Sequence, residues 1–139
     1  MSVVGKKIEG LTLTATGGKE VTFPESLVGK KTIIYFYPKD DTPGCTIQAC
    51  SYRDNIEQFK DANIQVFGVS ADDMASHDSF TEKFDLNFPL IVDSEKKLAA
   101  ELEVSGRDSF LFDTDGVVVK EWKRVDPNVT VNETLEAGK

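Results

Sequence analysis

Apolar and polar residues alternate over Leu11-Thr12-Leu13 and again over Val21-Thr22-Phe23, on either side of Gly17-Gly18. Period two is the strand period, and paired glycines supply the positive φ angles of a tight turn, so this stretch predicts a hairpin. Thr32 to Tyr37 carries β-branched and aromatic residues on both faces. That is the pattern of a central strand buried on both sides, and Pro38 ends it. After the loop Lys39 to Gly44 the period changes. Ile47, Tyr52, Ile56 and Phe59 fall near helical spacing across residues 46–62, and Arg53 and Glu57 form an i,i+4 pair. Ile64 to Ser70 reads as a second buried strand. His77 to Phe84 reads as a helix capped by Ser70 or Asp72, Phe88 to Val92 as a short strand, and Lys96 to Leu102 as a short helix. Phe110-Leu111-Phe112 and Val117-Val118-Val119 flank the turn Asp113-Thr114-Asp115-Gly116, a second hairpin, and Val129 to Ala137 closes the chain as a helix.

Strands and helices thus alternate between two hairpins, which predicts an α/β sandwich in a single domain over residues 1–139. Right-handed crossovers start the first helix at the carboxyl end of the central strand. Sheets of this kind hold their chemistry in that crevice, and Cys45 and Cys50 both fall there.

Composition narrows the classes. With 40% apolar and 29% charged residues the chain is globular and not disordered. The 16 basic and 24 acidic residues give a net charge of −8, which disfavours nucleic acid or an anionic membrane as partner. Two cysteines are too few for a disulfide scaffold. A zinc site is not expected, because His77 is the one histidine and lies far from the pair. The start of the chain has no apolar stretch suited to a signal peptide, and the longest apolar run, Ile33 to Tyr37, is too short to span a bilayer. A soluble, cytoplasmic protein is expected. In that reducing compartment nearby cysteines are reactive more often than structural.

Cys45 stands in the first turn of the predicted helix, after a strand and a loop containing Pro38 and Pro43. Free backbone N–H groups and the positive end of the helix dipole favour an anion there. A thiol so placed is a nucleophile activated by position, with no histidine base required. Thr42 can offer its hydroxyl to the sulfur or to an oxygen bound beside it. Pro38, Pro43 and Gly44 make a stiff loop, which suits a small oxygen-rich substrate. Cys50 is five residues on. In a regular helix that spacing separates the Cα atoms by about 8–9 Å, and a disulfide tolerates at most ~7 Å. The pair is therefore either two unrelated thiols or a switch that works by unwinding the helix.

The pattern Pro38, three residues, Thr42, two residues, Cys45 closely resembles the active site of peroxiredoxins. The flanking Tyr-Pro-Lys-Asp, Thr-Pro-Gly-Cys-Thr and Gln-Ala-Cys, followed by Arg53-Asp54, resemble the peroxiredoxin Q branch, also called bacterioferritin comigratory protein. Arg107-Asp108-Ser109-Phe110-Leu111 matches the family's arginine before a strand, although the segment from Leu102 to Arg107 is shorter than family members often carry. The resemblance implies a thioredoxin-like fold, a central mixed sheet with helices on both faces and an N-terminal hairpin extension. It implies a thiol peroxidase acting on hydrogen peroxide and organic hydroperoxides, with no metal and no bound cofactor. Cys45 would be the peroxidatic thiolate, and Arg107 and Thr42 would polarise the O–O bond. Cys50 would resolve the sulfenic acid as a Cys45–Cys50 disulfide, and a thioredoxin-type dithiol would reduce it. A monomer or weak dimer is implied.

Blander readings stand beside these. Cys50 can be a core cysteine, Thr42 a turn residue, and Arg107 the partner of Asp108 or Glu103 in a surface ion pair. His77 reads as a solvated helix residue. Asp72, Asp73 and Asp78 read as a solvated face with capping value. Tyr35, Phe36 and Tyr37 read as strand core, and Trp122 as a hairpin residue packed over the sheet. A protein thiol–disulfide oxidoreductase and a non-catalytic thioredoxin-fold binding or chaperone module are the competing functions.

Overall fold

The computed structural model describes residues 2–139. Strands β1 (Leu11–Ala15) and β2 (Lys19–Phe23) form the first hairpin, with Leu13 opposite Val21. Gly17 and Gly18 turn the chain at φ 78° and 70°. β3 (Lys31–Phe36), β4 (Ile64–Ser70) and β5 (Leu90–Val92) run parallel, with β3 beside β4 and β4 beside β5. β6 (Ser109–Phe112) lies antiparallel to β3, and β7 (Val118–Trp122) antiparallel to β6. One seven-stranded mixed sheet results, in the order β2-β1-β5-β4-β3-β6-β7. The hairpin joins it at a single pairing, Ala15 with Ile91.

Alternation along β3 divides the core. Ile33, Tyr35 and Tyr37 face one side, where α1 (Pro43–Asp61), α2 (Met74–Phe84) and α4 (Thr130–Gly138) contribute Tyr52, Phe59, Phe80 and Leu135. Ile34 and Phe36 face the other side, covered by Ile8, Phe23 and Leu98 of α3 (Lys97–Glu101). Tyr35 stacks on Tyr52, ring centroids 4.6 Å apart. Gly68 on the neighbouring strand leaves the room for it: a Cβ there would sit 2.9 Å from the Tyr35 ring. Among the described residues no helix is long and apolar enough to cross a membrane.

Some boundaries differ from the sequence reading. α1 begins at Pro43 rather than residue 46, because proline suits the first helical position and Thr42 precedes it in extended conformation. α2 begins at Met74, and its cap is Asp73, whose carboxylate accepts from Ser76 N at 2.9 Å. Asp72 is unavailable for that role, since Ser70 Oγ and Asp40 N already donate to it. β5 starts at Leu90 because Pro89 has no N–H to give a ladder. Arg53 does not pair with Glu57. Its guanidinium binds the Asp54 carboxylate within α1 and the Phe84 carbonyl, and the second of these bonds ties α1 to the end of α2.

Candidate active site

The register between β3 and β6 brings Arg107 to Cys45. Phe36 N at the end of β3 donates to Asp108 O at 2.8 Å, so the residues before β6 lie beside the loop that enters α1. Asp108, fully buried, fastens that turn by accepting from Ser105 N, Arg124 N and Lys123 Nζ. Burial alone would raise its pKa, but the hydrogen bonds and the lysine charge hold it below the usual carboxylate range. Arg107 thus pairs with neither Asp108 nor Glu103 among the described residues. Its Nη1 donates to Cys45 Sγ at 3.5 Å and to Gln48 Oε1 at 2.9 Å.

Cys45 is the third residue of α1 and only 1% exposed. Gly44 makes Arg107's approach possible, since a Cβ there would lie 3.0 Å from Nη2. The Thr42 hydroxyl donates to Lys39 O at 3.0 Å. Its hydrogen is committed, so toward an oxygen bound nearby it can only accept. Cys50 is half-buried within the intact helix, and both thiols are free. Five residues of α-helix keep their Cα atoms about 8–9 Å apart, beyond disulfide reach.

Pro38 opens the loop, and a knot of polar side chains holds it. Asp40 Oδ1 accepts from Tyr37 OH at 2.6 Å, and Oδ2 accepts from Ser76 Oγ at 2.8 Å and faces His77 Nδ1 at 2.7 Å. The sequence reading of His77 as solvated is corrected: the side chain is 0% exposed. His77 shares the inner face of α2 with Phe80 and Phe84 at helical spacing, a signal present in the sequence. Asp72 also turns inward rather than joining a solvated face. Burial works against both charges, but the mutual hydrogen bond and charge outweigh it. His77 is held above its ordinary value and Asp40 below its own. Asp40, Asp72 and His77 cluster closely enough to suggest a metal site. Both His77 nitrogens, however, face protein acceptors, Asp40 Oδ2 and Ile91 O.

Gln48, Asp40 and His77 join the site although the sequence motifs do not single them out. Gln48 sits three residues after Cys45, one helical turn along the same face. It is fully buried, and its Nε2 has no hydrogen-bond partner.

Comparison with known proteins gives the family. Residues 4–121 match the model of the AhpC/TSA family. The chain belongs to the AhpC/TSA family. Relatives within it include the peroxiredoxin Bcp of Bacillus subtilis, 38% identical over 96% of this chain and 92% of that protein. Chloroplastic peroxiredoxin Q of Suaeda salsa is 37% identical over 97% of this chain and 69% of its own length. A solved structure of Xanthomonas campestris peroxiredoxin Q superposes with a TM-score of 0.88 at 32% identity, covering 92% of this chain and 89% of that one. The AhpC/TSA chain is accordingly a peroxiredoxin of thioredoxin-like fold, a thiol peroxidase.

Proposed function

We propose that Cys45 is the peroxidatic thiolate and that it reduces hydrogen peroxide and organic hydroperoxides. The observation that carries this is the Arg107 guanidinium 3.5 Å from a cysteine sulfur in the first turn of α1. Helix N–H groups and a guanidinium together favour negative charge on sulfur. The thiolate attacks the near oxygen, the O–O bond breaks, and the far oxygen leaves as water or an alcohol after taking a proton. Sulfur keeps the near oxygen as a sulfenic acid. Arg107 stabilises charge on the two oxygens. Thr42 accepts from the substrate O–H, since its own hydrogen is bound to Lys39 O. Pro38, Pro43 and Gly44 shape the pocket, Gly44 by admitting Arg107. A structure of the X. campestris bacterioferritin comigratory protein, TM-score 0.89 and 29% identical, is described in terms of alkyl peroxide reduction, which supports organic hydroperoxides as substrates.

Cys50 is the resolving thiol in this reading. The first turns of α1 unwind, Cys50 attacks the Cys45 sulfenic sulfur, and water leaves as the disulfide forms. A thioredoxin-type dithiol then reduces the disulfide and is itself oxidised. No metal or bound cofactor takes part. The working unit is one domain over residues 1–139, a monomer or weak dimer in the cytoplasm. Mass spectrometry after one equivalent of peroxide tests the route. Loss of two hydrogens with a Cys45–Cys50 link supports it, and a lasting sulfenic acid beside free Cys50 contradicts it.

A further inference from the structure

Helix α2 reaches the loop before Cys45 through three side chains. Ser76 Oγ and His77 Nδ1 meet Asp40 Oδ2 at 2.8 and 2.7 Å, and Lys83 Nζ pairs with Asp41 at 2.7 Å. Two further bonds fix Asp40: Tyr37 OH donates to its carboxylate, and its own N–H donates to Asp72 Oδ2 at 2.7 Å. His77 Nε2 lies 2.8 Å from the Ile91 carbonyl oxygen. A carbonyl only accepts, so Nε2 carries a hydrogen. Nδ1 faces the Asp40 carboxyl, which its hydrogen bonds hold below its ordinary pKa and so ionised; a carboxylate only accepts, so Nδ1 carries a hydrogen too. The ring is a buried imidazolium paired with a buried carboxylate.

We propose that His77, held as an imidazolium between the Asp40 carboxylate and the Ile91 carbonyl, is a positioning residue for Cys45. It clamps the loop Pro38–Thr42 to α2 and β5 and sets the N-terminal limit of the segment that unwinds on oxidation. The inference rests on the peroxidase reading above. Separating a buried ion pair leaves an uncompensated charge in the protein interior, so its two partners are held together in one geometry. Here they hold a residue two positions before Thr42 and five before Cys45. The next residue, Asp41, sits at φ 59°, a left-handed conformation that needs such support. When Cys45 moves toward Cys50, the chain from Thr42 onward can unwind while Asp40 stays tied by its four partners.

His77 is the single histidine, so its ring nitrogens give unambiguous NMR signals. Both nitrogens should be protonated near neutral pH in the reduced protein, and unchanged after peroxide has formed the disulfide. A neutral ring, or signals that shift to solvent-like values on oxidation, overturns the proposal. Single-turnover oxidation of Cys45 should slow about tenfold in His77→Gln, since misplacement by an ångström costs up to about a hundredfold. Tyr37→Phe keeps the buried ring and removes one donor to Asp40, and should slow the step about threefold. A merely structural role would lower the unfolding midpoint and leave the folded protein's rate untouched. Rates within about twofold of wild type in either folded variant therefore overturn the proposal, and if His77→Gln does not fold, Tyr37→Phe decides. Should wild type itself fail to consume peroxide, the peroxidase reading falls, while ring protonation in the reduced protein still tests the His77–Asp40 pair.

Discussion

Replacing Gly44 by alanine should slow the enzyme while leaving the fold at least as stable. The added Cβ would lie 3.0 Å from Arg107 Nη2, 3.6 Å from its Cζ and 3.7 Å from Pro127 Cγ. Comfortable contact begins near ~3.5 Å, so the guanidinium must retreat by about 0.5 Å. The crowded atoms end a flexible side chain, so the fold yields at small cost. The bond to Cys45 Sγ, 3.5 Å in the structure, then stretches toward the limit of a sulfur hydrogen bond. Complete removal of a donor aimed at developing charge costs about 10²–10³ in rate. Partial displacement should cost about tenfold, or ~1.4 kcal/mol. Alanine gains roughly 0.5–1 kcal/mol over glycine in mid-helix, and less at this second position of α1. Steric adjustment offsets part of that gain, so the thermal midpoint should hold or rise by about 2 °C. Single-turnover stopped-flow with hydrogen peroxide isolates Cys45 oxidation from later steps, and calorimetry gives the midpoint. Oxidation as fast as wild type would refute the reasoning that Arg107's placement governs the chemistry.

Three further perturbations follow from the same geometry. Cys50→Ser should leave the rate of Cys45 oxidation unchanged but trap the sulfenic acid, seen as one added oxygen by mass spectrometry; continued turnover with a thioredoxin-type reductant would contradict the resolving role. Because His77 is held above its ordinary pKa of 6.5, its stabilising contribution is complete below that pH and is lost as pH rises through the raised value. Asp40, held below 3.8, contributes fully above that pH and loses its contribution as pH falls. Urea midpoints should therefore fall with pH above 6.5 in wild type, and a His77→Gln variant that kept the same slope would contradict the assignment. Gly68→Ala would put a Cβ 2.8 Å from Leu90 Cδ2 and 2.9 Å from Tyr35 Cζ, and should cost about 1–3 kcal/mol of overpacking in a denaturant titration. Wild-type stability would show that the Tyr35 layer can move aside.

Local signals in the sequence carry far in some places. Strand β4 matches its apolar run residue for residue, and the Gly17-Gly18 turn follows from backbone freedom alone. Cys45 is legible because strand, loop and helix start are consecutive, so chain order already places the thiol at the helix end. Arg107 is legible only by motif. Its distance from Cys45 depends on the antiparallel register of β3 with β6, which no local pattern encodes. His77 resists for a different reason. A lone histidine among Ser76, Asp78 and Ser79 looks solvated until Phe80 and Phe84 are seen on its face. Its partner Asp40 lies across a loop with no regular period. Gln48 looks like any polar helix residue, and only the arrival of Arg107 explains its burial.

The central claim is that the Cys45 thiolate is the group oxidised by peroxide. It is tested most directly by single-turnover peroxide consumption in wild type, Cys50→Ser and Cys45→Ser proteins. Wild type and Cys50→Ser should consume peroxide at equal second-order rates, and Cys45→Ser should consume none. Peroxide consumption surviving in Cys45→Ser would contradict the claim.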